Sequence, residues 1–252
     1  MFIVRRKDVP KNGTAPALLT GYGGFDQSMT PSFLRRTLPW VDAGGVFALA
    51  NLRGGGEFGR RWHEAGMREK KQNVFDDFIA AAEALGQQGW AAPKRIAITG
   101  RSNGGLLVGA AMVQRPDLFA AVVCGVPLLD MVRYTQFGSG RTWAEEFGDP
   151  GVEADFRWLY AYSPYHHVAA GTRYPPLLLL SADHDDRVDP MHARKFWAAV
   201  AAAEATPQPV LLRIERNAGH GGADLVKQSV AESVDTLAFL FAELGVPAPT
   251  LH

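Results

Sequence analysis

The pentapeptide Gly100-Arg101-Ser102-Asn103-Gly104 constrains this chain more than any other stretch, because of what flanks it. Arg95-Ile96-Ala97-Ile98-Thr99 precedes it, a short apolar run rich in β-branched residues that reads as a strand. Gly105-Leu106-Leu107-Val108-Gly109-Ala110-Ala111-Met112-Val113 follows, apolar and long enough for a buried helix. A strand, a sharp turn centred on serine and a helix together make a nucleophile elbow. The turn crowds the backbone, so small residues are needed two positions before and after the serine. It lifts the hydroxyl above the sheet and aims a helix N-terminus at the place where negative charge develops. A serine that merely caps the helix is the plainer alternative.

Strand and helix patterns alternate on both sides of this motif. Strands are expected at Ala17–Thr20, Gly45–Leu52, Arg95–Thr99, Ala121–Val126, Pro176–Ser181 and Val210–Glu215. Helices are expected near Ser32–Ala43, Val74–Gln88, Gly104–Gln114, Pro190–Glu204 and Val226–Leu244. Phe75, Phe78, Ile79, Ala82 and Leu85 recur at helical spacing, as do Val230, Val234, Leu237, Phe241 and Leu244. Such alternation implies an α/β fold: a mostly parallel central sheet with helices on both faces and ligands beyond the carboxyl ends of its strands. The stretch Asp130–Tyr174 is different, rich in aromatic residues and without clear periodicity, and reads as a helical insertion or an irregular crossover above the sheet.

The chain has 252 residues, 47% of them hydrophobic and 21% charged, and its formal net charge is zero. That is enough apolar material for one large core, and neither a repeat nor a linker suggests a second domain. With no basic stripe, nucleic acid is not an expected partner, and with no long apolar run, neither is a membrane. The single cysteine, Cys124, lies in the apolar run Ala121–Val126 and reads as a core residue that forms no intrachain disulfide. Met1–Arg6 does not read as a secretory leader, so the expected location is cytoplasmic.

A serine hydroxyl is a poor nucleophile until a base takes its proton. Among seven histidines, His220 is best placed, in the glycine-rich loop Asn217–Gly222 after the strand at Val210–Glu215. His63, His192 and His252 look like surface, helix and terminus residues, and His166 and His167 belong to the aromatic insertion. The base needs a carboxylate to hold its tautomer. Asp183, Asp185 and Asp186 all follow the strand ending at Ser181, and spacing alone does not choose among them. The chain order serine, aspartate, histidine is that of the α/β-hydrolase architecture. The glycine-rich stretches at Gly21–Phe25 and Arg53–Gly59 have neither P-loop nor dinucleotide spacing. The first sits where hydrolases place a second oxyanion donor, and the second reads as turn geometry. No metal is expected, because Asp183-x-Asp185 and His166-His167 lack a third ligand at suitable spacing.

Taken together, Gly21–Phe25, Asn51–Gly59, Lys71–Phe78, Ser102–Leu107, Ala182–Val188 and Ala218–Gly221 resemble the peptidase domain of prolyl oligopeptidases over nearly the whole chain, Met1 to about Leu244. The resemblance implies an α/β-hydrolase fold, no cofactor, and cleavage of short peptides after proline. It implies Ser102 as nucleophile, Asp185 as the triad acid and His220 as base. It further implies an oxyanion hole made by the Asn103 backbone N–H and the Tyr22 hydroxyl. Trp143 would stack on the proline ring, Phe25, Leu128, Phe147 and Val188 would line its pocket, and Arg187 would bind a substrate carbonyl. Two positions depart from the family pattern: Arg101 stands where glycine is usual, and Phe147 where tyrosine is usual. Family members carry a β-propeller ahead of this domain, whereas the expectation here is one catalytic domain over residues 1–252. The same triad would also serve a carboxylesterase acting on small acyl esters. Neither the residues nor the resemblance sets the oligomeric state.

Overall fold

The computed structural model describes residues 1–203, 208–216, 218–221 and 226–247. The expected positions Asn217, Gly222, Glu204 and His252 lie outside the described residues. Among these described residues, strands β1 (Phe2–Val4), β2 (Ala17–Thr20), β3 (Val46–Leu49), β4 (Ile96–Arg101), β5 (Ala121–Gly125), β6 (Leu177–Ala182) and β7 (Val210–Glu215) form one sheet in the order β1-β3-β2-β4-β5-β6-β7. All neighbours are parallel except β1, which runs antiparallel to β3 at one edge. Helices are α1 (Leu38–Asp42), α2 (Arg60–Glu64), α3 (Gln72–Gln87), α4 (Asn103–Gln114), α5 (Ala144–Phe147), α6 (Glu153–Tyr162), α7 (Met191–Ala203) and α8 (Lys227–Leu244).

The central strands are apolar on both faces, as a covered parallel sheet requires. Alternate residues separate cleanly into two cores. Leu19, Ala48, Ile96, Ile98, Val122, Cys124, Leu177 and Leu179 join one with α3, α4 and α7. Leu18, Phe47, Ala97, Val123, Leu178 and Leu180 join another with α1 and α8. Cys124 is fully buried, its thiol donates to the Gly105 carbonyl (3.3 Å), and burial pushes its ionisation well above the ordinary thiol range.

Two expectations need correction, and one strand was not expected at all. The helix expected over Ser32–Ala43 is shorter: a 3-10 turn at Arg35–Thr37 leads into α1, with Pro39 in its first turn. Proline lacks an N–H and starts helices rather than continuing them. Of the stripe expected on α8, Leu244 is buried and Leu237 and Phe241 pack against the same core, joined by Phe239 and Leu240, whereas Val230 and Val234 are exposed. The edge strand β1 was not anticipated, because three residues are too few to show a period. The stretch from Asp130 to Tyr174 is a helical insertion, containing α5, α6 and three 3-10 turns. Among the described residues, no helix is long and apolar enough to cross a membrane.

Candidate active site

β4 runs into Gly100 and Arg101, and the chain then reverses through Ser102 into α4. Ser102 has φ 57° and ψ −119°, a conformation that a non-glycine residue holds only when its surroundings enforce it. The enforcement is visible. The Ser102 N–H donates to the Gly125 carbonyl (2.9 Å), and its own carbonyl accepts from the N–H groups of Gly105 and Leu106. A Cβ on Gly100 would lie 2.0 Å from the Gly104 carbonyl oxygen, so the elbow admits only glycine there. Asn103 is the first residue of α4, so its N–H has no intrahelical acceptor. Arg101 turns away from the serine, and its guanidinium pairs with Glu232 on α8 at 2.6 Å.

A small cavity of about 90 Å³ opens beside the elbow, lined by Tyr22, Phe25, Gln27, Ser102, Leu128, Trp143 and Arg187. Tyr22 shares this cavity with Ser102; burial raises the pKa of its phenol, and Ser102 and Arg187 lower it in part. The phenol therefore stays protonated near neutral pH and can donate. Phe147 and Val188 do not line this cavity. Both are buried, and Phe147 meets Phe25 edge to face at 5.5 Å, so it supports the wall from behind. Gln27, at the mouth, carried no signal in the sequence.

The loops after β6 and β7 meet at the same edge of the sheet. The Asp185 carboxylate accepts the N–H groups of Arg187 (3.0 Å) and Val188 (2.9 Å) through Oδ1. Its Oδ2 lies 2.8 Å from His220 Nδ1. An ionised carboxylate only accepts, so Nδ1 carries the proton and Nε2 is left bare. Asp183 is engaged instead by His184 (2.9 Å) and by the Ala218 N–H (3.4 Å), while Asp186 is exposed.

Two histidines outside the proposed triad hold specific partners, and one of them, His63, differs from the sequence reading. His63 is half-buried rather than a plain surface residue, its Nε2 lying 2.9 Å from the buried Glu146 carboxylate. His192 is buried on α7, where its Nδ1 accepts the N–H groups of Leu129 and Asp130; burial lowers its pKa to about 4.

The prolyl oligopeptidase family model matches residues 31–246. A prolyl endopeptidase of Elizabethkingia miricola is 46% identical over 247 residues, covering 98% of this chain and 35% of that protein. A solved structure from a mechanistic study of two prolyl endopeptidases is 63% identical, with a TM-score of 0.95 over 97% of this chain and 36% of that one. Prolyl oligopeptidase B from Galerina marginata, bound to a 35mer hydrolysis and macrocyclization substrate, is 38% identical with a TM-score of 0.94, over 98% of this chain and 35% of that one. The chain spans about a third of the length of the curated relatives it matches. Elbow, sheet order and extensive likeness in sequence and structure converge on the α/β-hydrolase fold, and the chain belongs to the prolyl oligopeptidase family of serine peptidases.

Proposed function

We propose that this chain cleaves short peptides after proline through an acyl-enzyme, with Ser102, His220 and Asp185 as its triad. The observation that carries the reading is the cavity in which the Ser102 and Tyr22 hydroxyls stand among the Phe25 and Trp143 rings. Proline is compact, apolar and has no N–H to satisfy, so a small aromatic-walled recess suits it and leaves no donor unpaired. Arg187 at the rim donates to a substrate carbonyl one residue further back.

Ser102 Oγ attacks the carbonyl carbon while His220 Nε2 takes its proton. Asp185, fixed by two backbone N–H groups, holds the imidazole in the tautomer this step needs and stabilises the imidazolium that forms. The oxyanion receives the Asn103 N–H and the Tyr22 O–H. The tetrahedral intermediate collapses as His220 gives the proton to the leaving amine. Water, deprotonated by the same imidazole, then attacks the acyl-enzyme and restores the serine.

The test is twofold. A fluorophosphonate should label Ser102 stoichiometrically, read by mass spectrometry of the tryptic peptide. A short peptide with one internal proline should yield fragments ending in that proline. Labelling elsewhere, or cuts scattered without regard to proline, would overturn the assignment.

A further inference from the structure

The loop after β2 has a mechanical problem. Residues 21, 23 and 24 are glycine, so the segment that presents Tyr22 has little stiffness of its own. Side chains hold its backbone from outside. Asn103 Nδ2 donates to the Tyr22 carbonyl (2.6 Å), Lys71 Nζ donates to the Gly23 carbonyl (2.9 Å), and the Phe25 N–H donates to Glu146 Oε1 (3.0 Å). Lys71 and Glu146 also face each other at 3.4 Å, with side chains 1% and 5% exposed. The second Glu146 oxygen meets His63 Nε2 at 2.9 Å, and Lys71 Nζ lies 5.1 Å from the centre of the Phe147 ring.

These groups come from three separate places: α2, the turn before α3, and α5 in the aromatic insertion. Burying a lysine and a carboxylate carries a desolvation cost that their attraction often fails to offset, and an apolar pair could fill the same volume. What an apolar pair could not do is bond the two backbone groups on either side of Gly24. A glycine-rich loop released from those bonds would let the Tyr22 hydroxyl wander, and a misplacement of about 1 Å can cost roughly a hundredfold in rate.

We propose that Lys71 and Glu146, braced by His63, are positioning residues that pin the oxyanion loop at Gly23 and Phe25 and so set the place of the Tyr22 hydroxyl. The proposal rests on the reading of Tyr22 as an oxyanion donor. It differs from a purely structural role in one measurable way: the effect of breaking the pin must run through Tyr22.

The test is a double-mutant cycle on the full chain, using kcat for a blocked Gly-Pro anilide normalised by fluorophosphonate titration. Tyr22→Phe should lower kcat at least tenfold. Lys71→Met, similar in length and apolar, should lower kcat by roughly tenfold as well, with KM changed little. The double variant should be no slower than the slower single variant, within about twofold. Multiplying losses, or wild-type kcat in Lys71→Met, would overturn the positioning role while leaving the Tyr22 reading intact. Wild-type kcat in Tyr22→Phe would remove that reading, and this inference with it. The same cycle with Glu146→Gln covers the case in which Lys71→Met folds poorly. Glutamine keeps size and an acceptor for the Phe25 N–H, so the single loss should be smaller and the double variant again no slower than Tyr22→Phe; additive losses there would also overturn the proposal.

Discussion

Asp185→Asn should cost about ten-thousand-fold in kcat while hardly touching the fold. The reason lies in how the carboxylate is held. Its Oδ1 accepts two backbone N–H groups, from Arg187 and Val188, and its Oδ2 faces His220 Nδ1. An asparagine in the same place keeps its carbonyl oxygen on the two N–H groups, because only oxygen can accept them. Its NH2 is thereby forced toward His220 Nδ1, which must then be the acceptor. The imidazole proton moves to Nε2, the nitrogen that the proposed mechanism needs bare. The geometry survives and the base is lost, a barrier increase of roughly 5–6 kcal/mol. The assay is anilide turnover per titratable serine, with Tm measured alongside. Asp183→Asn and Asp186→Asn serve as controls and should stay within a few fold of wild type. Asp185→Asn within tenfold of wild type, or an equal loss in either control, would refute the tautomer argument.

Two further outcomes follow from the site and the core. Trp143→Ala should lower the preference for a Gly-Pro over a Gly-Ala anilide by roughly tenfold or more, since it opens the wall against which the proline ring would stack; an unchanged ratio would put proline selection elsewhere. His192 links stability to pH: its folded pKa is lowered to about 4 by burial, so it contributes stability that is full above about 6.5, its ordinary value, and lost as pH falls toward 4. His192→Asn, which can keep an acceptor for the Leu129 and Asp130 N–H groups, should flatten that acid limb in a plot of unfolding free energy against pH.

Much of the fold was legible, and the reasons are local. β2 and β7 fall on the expected residues because each opens on an apolar run, Ala17–Leu19 and Val210–Leu212, directly after a proline. The elbow was legible for a different reason: its glycines are dictated by backbone crowding, which the Gly100 geometry makes explicit. What sequence could not show are contacts between distant segments. Spacing left three aspartates open, and only the folded loops show that His220 meets Asp185. His63 and Glu146 are 83 residues apart, and no periodicity marks either one. Lys71 was visible as part of a motif, but its burial and its bond to Gly23 depend on three loops closing together. On α8 the spacing marked the packed face correctly at Leu237, Phe241 and Leu244, but it could not show that Val230 and Val234, at the start of the same stripe, stay exposed.

The central claim, serine-dependent cleavage after proline, is tested most directly by comparing three chromogenic substrates on the purified chain with Ser102→Ala as blank. They are a blocked Gly-Pro anilide, the matching Gly-Ala anilide and p-nitrophenyl butyrate. The account predicts turnover of the Pro anilide far above the Ala anilide, abolished in Ser102→Ala. Ester turnover with negligible cleavage of either anilide would contradict it and make this chain an esterase in practice.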